Sequence, residues 1–142
     1  MSRVHMENIT CIACGKESPY RYWDMIDPMM NQETKDKVLS GELFTFTCKH
    51  CGAKRRVTYD TIYQEVAKGR TFHLVTSEES YMQAVNIYAD RDSHSSPVLA
   101  HEIVRIVLSQ NQLAEKIRIF DEGLDDRIVE IIKAYFLSQL YE

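Results

Sequence analysis

Hydrophobic and polar positions alternate with period two over residues 43–47, Leu-Phe-Thr-Phe-Thr. That spacing puts one set of side chains on each face of a strand. A strand over 55–59 follows after a short turn, and the two predict a β-hairpin over 43–59. The aromatic-rich stretch 18–23 and the run Phe72-His-Leu-Val-Thr76 predict two more strands. Asp27-Pro28 suits a turn or helix entry, and Gly41 suits a left-handed helix C-cap, so a short helix is predicted near 30–40. Tyr81, Ala84, Val85 and Tyr88 fall at helical spacing and predict a helix over 79–89, with a polar loop at 91–96.

Residues 97–108 carry mixed signals. Ser96-Pro97 could open a helix, but Ile103, Val104, Ile106 and Val107 are β-branched and predict a strand over about 101–108. Ser109 and Gln112 have the spacing of a capping box, and Leu113, Ile117 and Phe120 follow on one helical face. Gly123 ends that helix, and Asp125 or Asp126 caps the next. Ile128, Ile131, Ile132, Tyr135 and Phe136 then form one stripe. The expectation is two helices joined by a tight turn, both stripes buried on the strands.

A repeated element adds chemistry to this pattern. Cys11-Ile-Ala-Cys14-Gly15-Lys16 and Cys48-Lys-His-Cys51-Gly52-Ala53-Lys54 are the same turn written twice. Each Cys-x-x-Cys turn supplies two thiolates from one tight loop, and the following Gly can adopt positive φ. All four cysteines of the chain lie in these turns, with 33 residues between Cys14 and Cys48. Two such knuckles predict one shared structural Zn2+ held by Cys11, Cys14, Cys48 and Cys51, in a zinc-ribbon-like arrangement.

Rival readings of the cysteines fare worse. A thioredoxin-like pair needs a helix opening after the second Cys; here Gly15, Lys16 and then Pro19 follow. A catalytic zinc keeps a position open for water, which four thiolates close. His50 could replace a cysteine but is expected at an exposed knuckle tip; His5 and His73 are expected to be packed or solvated.

Composition is that of a soluble globular chain: 142 residues, 44% hydrophobic, 27% charged, five Gly and three Pro. Collagen-like and disordered classes are excluded. No apolar run reaches the roughly 18 residues of a membrane span. Residues 1–10 lack the apolar core of a secretory signal, so a reducing cytoplasm is expected, where paired cysteines bind metal rather than form disulfides.

The net charge of −4 argues against a general nucleic-acid binder. Its distribution is uneven: residues 1–76 sum to +2 and residues 77–142 to −6. An intramolecular match between the halves is favoured over a partner surface. Lys16, Lys49, Lys54, Arg55 and Arg56 cluster near the knuckles and are read first as balancing a dianionic zinc–thiolate centre. Their other reading is a nucleic-acid surface. Tyr20, Tyr22 and Trp23 could stack bases, but strand packing accounts for them. The acidic turn 121–126 is accounted for by helix capping, and no catalytic constellation is evident.

The order of motifs resembles the CpXC domain family. The likeness is carried by Ile9-Thr-Cys-Ile-Ala-Cys-Gly15, Trp23-Asp24, Lys37-Val-Leu-Ser-Gly-Glu-Leu-Phe44 and Phe46-Thr-Cys-Lys-His-Cys-Gly52. Arg105-Ile-Val, Asn111-Gln-Leu-Ala-Glu-Lys-Ile117 and the run from Ile119 to Lys133 extend it. The family's name reflects a Pro after the first Cys; here Ile12 and Lys49 stand there, at two positions that are not ligands. The resemblance implies a prokaryotic protein, zinc at the four cysteines and a strand ending at Leu108, and it implies no assigned activity.

The expected fold is α+β: a zinc-ribbon-like antiparallel sheet with an inserted short helix and a C-terminal two-helix hairpin. Residues 1–142 are expected to form a single CpXC-like domain, with the zinc-ribbon part at 7–76 and the strand plus helical hairpin at 97–142. The functional expectation is a structural-zinc-binding protein-interaction or adaptor module with a protein partner. A nucleic-acid-binding zinc ribbon is the alternative, and an enzyme with an unrecognised site the second.

Overall fold

A computed structural model describes residues 3–93 and 103–141. Strand β1 (Arg3–Thr10) and strand β2 (Glu17–Ile26) form an antiparallel hairpin, with Thr10 opposite Glu17. The first cysteine knuckle is the connection at its tip. Helix α1 (Gln32–Ser40) follows, and Gly41 terminates it at φ 85°, donating its N–H to the Val38 carbonyl. A single 3-10 turn, Glu42–Phe44, leads into the short strands β3 (Thr45–Thr47) and β4 (Lys54–Arg56). These pair antiparallel as a separate two-stranded sheet with the second knuckle at its tip.

The main sheet is completed by β5 (Thr61–Glu65), β6 (Arg70–Leu74) and β7 (Ile103–Val107), in the order β1-β2-β5-β6-β7. Helix α2 (Glu78–Ser93) lies in the chain between β6 and β7. Helices α3 (Gln110–Asp121) and α4 (Asp126–Leu140) follow. The fold is thus α+β and carries the expected inserted helix and C-terminal helical pair.

The sheet differs from expectation in being mixed. β2 runs parallel to β5, and β6 parallel to β7. A parallel pair needs a long crossover; the segment holding α1 and the small sheet supplies the first, and α2 stands in the second. Two strands were not foreseen. β1 is an edge strand with mostly exposed side chains, so no alternation marks it. β5 is interior, but its inward positions are Thr61, Tyr63 and Glu65, so polar groups break the apolar rhythm. The strand expected at 101–108 spans Ile103–Val107; residues 91–93, expected in a polar loop, are instead the end of α2, and residues 94–102, with Ser96 and Pro97, lie outside the described residues.

The main core joins Ile26, Val38, Phe44, Tyr63, Phe72, Leu74, Val107, Leu113 and Ile117. Phe72 stacks between Tyr63, with ring centroids 6.1 Å apart, and Phe120 at 5.5 Å. The α3 stripe is therefore buried on the sheet as expected. Ser109 caps α3 by accepting the Gln112 N–H at 3.2 Å, but Gln112 reaches back to the Leu108 N–H, one residue beyond the expected donor. Asp125 caps α4 by accepting the Arg127 N–H.

Asp126 does other work. Its carboxylate is nearly buried and accepts from Arg105 Nε at 2.8 Å and Lys116 Nζ at 2.7 Å, tying α4 to β7 and α3. The charge asymmetry between the halves is also partly absorbed inside the molecule. Lys35, Lys68 and Arg70 of the first half converge on Asp121 of α3, and Arg70 also pairs with buried Glu65.

One expectation fails outright. The α4 stripe is not buried on the strands: Ile128, Ile131, Ile132, Tyr135 and Phe136 are each 48–69% exposed. α3 fills the core against the sheet with Leu113, Ile117 and Phe120, and α4 is held to the molecule by ion pairs of Asp126, Glu130 and Lys133, which leaves its apolar stripe facing solvent.

Candidate metal centre

The two hairpin tips bring the four cysteines together. Each knuckle is closed by the same pair of backbone bonds: Cys11 N–H to Lys16 O and Gly15 N–H to Cys11 O in the first, Cys48 N–H to Ala53 O and Gly52 N–H to Cys48 O in the second. Gly15 at φ 73° and Gly52 at φ 76° make both turns possible, since other residues resist that region. The local sequence thus builds each half of the site before the halves meet.

Cys11 Sγ lies 3.6 Å from Cys51 Sγ, and Cys14 Sγ lies 3.6 Å from Cys48 Sγ. All four sulfurs fall within 4.8 Å of one another. A disulfide would need about 2.05 Å, so these are thiols facing a common centre. A tetrahedron of thiolates around a metal at about 2.3 Å has edges of about 3.8 Å. The two 3.6 Å pairs are close to that edge length, and the four sulfurs could hold one metal ion. Cys11 and Cys48 are buried, while Cys14 and Cys51 are exposed.

Polar groups point at the sulfurs. Ser18 is buried; its hydroxyl donates to Cys48 Sγ at 3.7 Å while accepting the Lys49 N–H at 3.2 Å. The His50 N–H reaches the same sulfur at 3.4 Å. The amide of Cys51, then those of His50 and the Ser18 hydroxyl, hold the Cys48 thiol down to about 6 against the effect of burial. Cys11 is lowered too, chiefly by the Cys14 amide. At Cys51 the Ala53 amide favours the thiolate, but the neighbouring Cys11 thiol, burial and the other two cysteines outweigh it and push the group up to about 11. Four sulfurs this close cannot all carry charge without a cation among them, and a metal ion held there would supply it.

Beneath the knuckles sits a second, smaller core of Cys11, Tyr20, Phe46 and Cys48. Tyr20 meets Phe46 edge-on at 6.1 Å and Tyr59 at 6.3 Å. The Tyr20 and Tyr59 hydroxyls both donate to the Leu43 carbonyl, at 2.7 Å and 3.1 Å. Trp23 packs against the main core, and Tyr22 stacks on His5 at 5.1 Å. The aromatics of β2 are thus engaged in packing.

The described histidines direct their rings to partners other than the sulfurs. His50 Nε2 lies 3.1 Å from the Glu17 carbonyl oxygen and ties the second knuckle to β2. His5 pairs with Asp24 at 2.9 Å, and His73 Nδ1 lies 3.1 Å from the Tyr88 hydroxyl. The basic residues Lys54, Arg55 and Arg56 are exposed along β4. Neither they nor Lys16 and Lys49 form an ion pair among the described residues. Sequence reasoning missed the network that joins buried Glu65 and Arg70 to the partly exposed Asp121; its trace was the charged residue at an inward position of β5.

Among the described residues no helix is long and apolar enough to cross a membrane. No curated protein and no solved structure matches the chain. A protein-family model, described as CpXC protein, matches residues 9–133, which contain all four cysteines and both knuckle turns. The chain belongs to the CpXC family.

Proposed function

We propose that Cys11, Cys14, Cys48 and Cys51 hold one structural Zn2+, and that the chain is a protein-interaction module built on that clamp. One observation carries the reading: the four sulfurs close on a single centre, with opposite pairs at 3.6 Å. Four soft thiolates in a tetrahedron suit zinc and leave no coordination position for water. The ion then joins two hairpins that share only a small core, so metal binding adds to folding free energy. Free thiols and a zinc centre suit a reducing, cytoplasmic setting.

Native mass spectrometry is expected to find one zinc per chain, lost in Cys48→Ser. Chelation is expected to lower the melting temperature and expose the β1–β2 tip to exchange. A chain with reduced thiols that binds no metal, or unchanged melting after verified metal removal, refutes the structural role. Affinity capture with the zinc-loaded chain tests the interaction half. No enrichment over a variant with polar replacements on its exposed apolar sites refutes that half.

A second reading has its own observation. Lys54, Arg55 and Arg56 stand exposed without carboxylate partners among the described residues, which favours an anionic strand on β4. The same cations would also offset a dianionic centre. Fluorescence anisotropy separates the two: nucleic-acid binding would weaken steeply with salt, and no binding at low salt removes the reading.

A further inference from the structure

Helix α4 presents its apolar side to solvent. On a wheel of 100° per residue, Asp126, Glu130 and Lys133 share the side that meets α3, where Lys116 and Glu115 receive them. Ile128, Ile131, Ile132 and Tyr135 lie on the opposite side, flanked by Phe136 and by Leu124 just before the helix. These six side chains are 48–69% exposed. With full areas of about 150–250 Å² for large apolar residues, they present on the order of 700 Å² together. Contiguous apolar patches of that size mark interaction sites.

We infer that this face of α4 is a self-association surface, through which two copies of the chain pair about a two-fold axis. The inference rests on the interaction-module reading and names its first partner. The area is that of one side of a standard interface, about 800 Å² per partner. Charge selects the occupant. Every described charge on α4 is already neutralised within the chain: Arg127 by Asp125, Glu130 by Lys116 and Lys133, Lys133 by Glu115 as well, Asp126 by Arg105 and Lys116. An acidic or basic partner therefore finds nothing on this face to choose it. A membrane surface would call for a free cationic rim, and the two cations of α4 are both engaged. A neutral apolar face is complementary to itself, as an isologous contact requires. Two α3–α4 pairs meeting through α4 make a four-helix arrangement, which buries the stripe between helices as in a bundle.

The test is sedimentation velocity and native mass spectrometry on the full, zinc-loaded chain across a concentration series. Wild type is expected at twice the chain mass. Ile131→Asp with Tyr135→Asp is expected at the monomer mass, with unchanged zinc content and circular dichroism. Met82→Asp, on an exposed position of α2, is expected to stay dimeric. Hydrogen exchange on wild type gives a readout free of any variant: dilution should raise exchange along α4 selectively. A monomeric wild type, a dimer that survives the α4 double variant, or α4 exchange that ignores dilution overturns the inference; so does a monomer that instead binds neutral or anionic vesicles. A monomeric wild type removes self-association alone. The interaction-module reading is decided separately, by affinity capture.

Discussion

Replacing Asp126 by Asn probes the contact that holds α4 on the molecule. The side chain is 3% exposed and accepts from Arg105 and Lys116. Burial alone would raise its carboxyl pKa, but those two hydrogen bonds and the charges behind them outweigh it and hold the group down to about 2, from an ordinary 3.8. At 1.36 kcal/mol per unit, that depression corresponds to about 2 kcal/mol of folding stability. Arg105 and Lys116 keep some access to water, so the loss should stay below the 3–5 kcal/mol typical when a fully buried charge is orphaned. The sign follows from the depressed value. The contribution is fully present above the unfolded-state pKa and is lost as pH falls through about 2. The wild-type–variant difference should therefore be flat between about pH 5 and 8 and shrink only below about 4. Urea unfolding of the zinc-loaded proteins at one concentration, followed by far-UV circular dichroism, measures it without screening the ion pairs as guanidinium would. A difference under about 0.5 kcal/mol, or one that titrates inside that flat window, would refute the assignment.

Further substitutions test the packing around the sheet. Gly41→Ala must hold a side chain at φ 85°, with its Cβ 2.6 Å from Gln110 Nε2 in a buried position; it should cost about 2–3 kcal/mol. Gly123→Ala meets nothing within 4 Å at a similar φ and should cost about 1 kcal/mol less in the same melt. Equal losses would show that Gln110 yields freely. Arg70→Met strands Glu65, 2% exposed, with the half-exposed Lys68 as its remaining cation among the described residues, and should cost about 3 kcal/mol. Adding Glu65→Met should recover most of it, and a double variant no better than the single one would count against a stranded charge.

These sites divide by how they were legible. The knuckles were readable because everything they need is local: two cysteines, a Gly for positive φ, and backbone bonds spanning five residues. The caps at Ser109, Asp125 and Gly41 were readable for the same reason, and so was the β3–β4 hairpin, although its strands, Thr45–Thr47 and Lys54–Arg56, are shorter than the expected 43–47 and 55–59. β5 was hidden because Glu65 occupies a core position that only Arg70, on the neighbouring strand, makes tolerable. Asp126 reads in sequence as a cap candidate; that it is instead the buried partner of Arg105, 21 residues away, is a tertiary fact.

α4 gives the clearest division. Its helix, its cap and its apolar stripe follow from spacing alone, because helical periodicity is a property of the chain. What the stripe faces is not. A stripe states that apolar area must leave water, and α3 had already taken the place on the sheet where intramolecular burial was expected. The sequence by itself thus determined a four-thiol centre and the elements around it. The tertiary structure alone decided that the sheet is mixed, that the halves' charges meet at Asp121, and that α4 turns its apolar side outward, because each depends on which surfaces other elements have already covered.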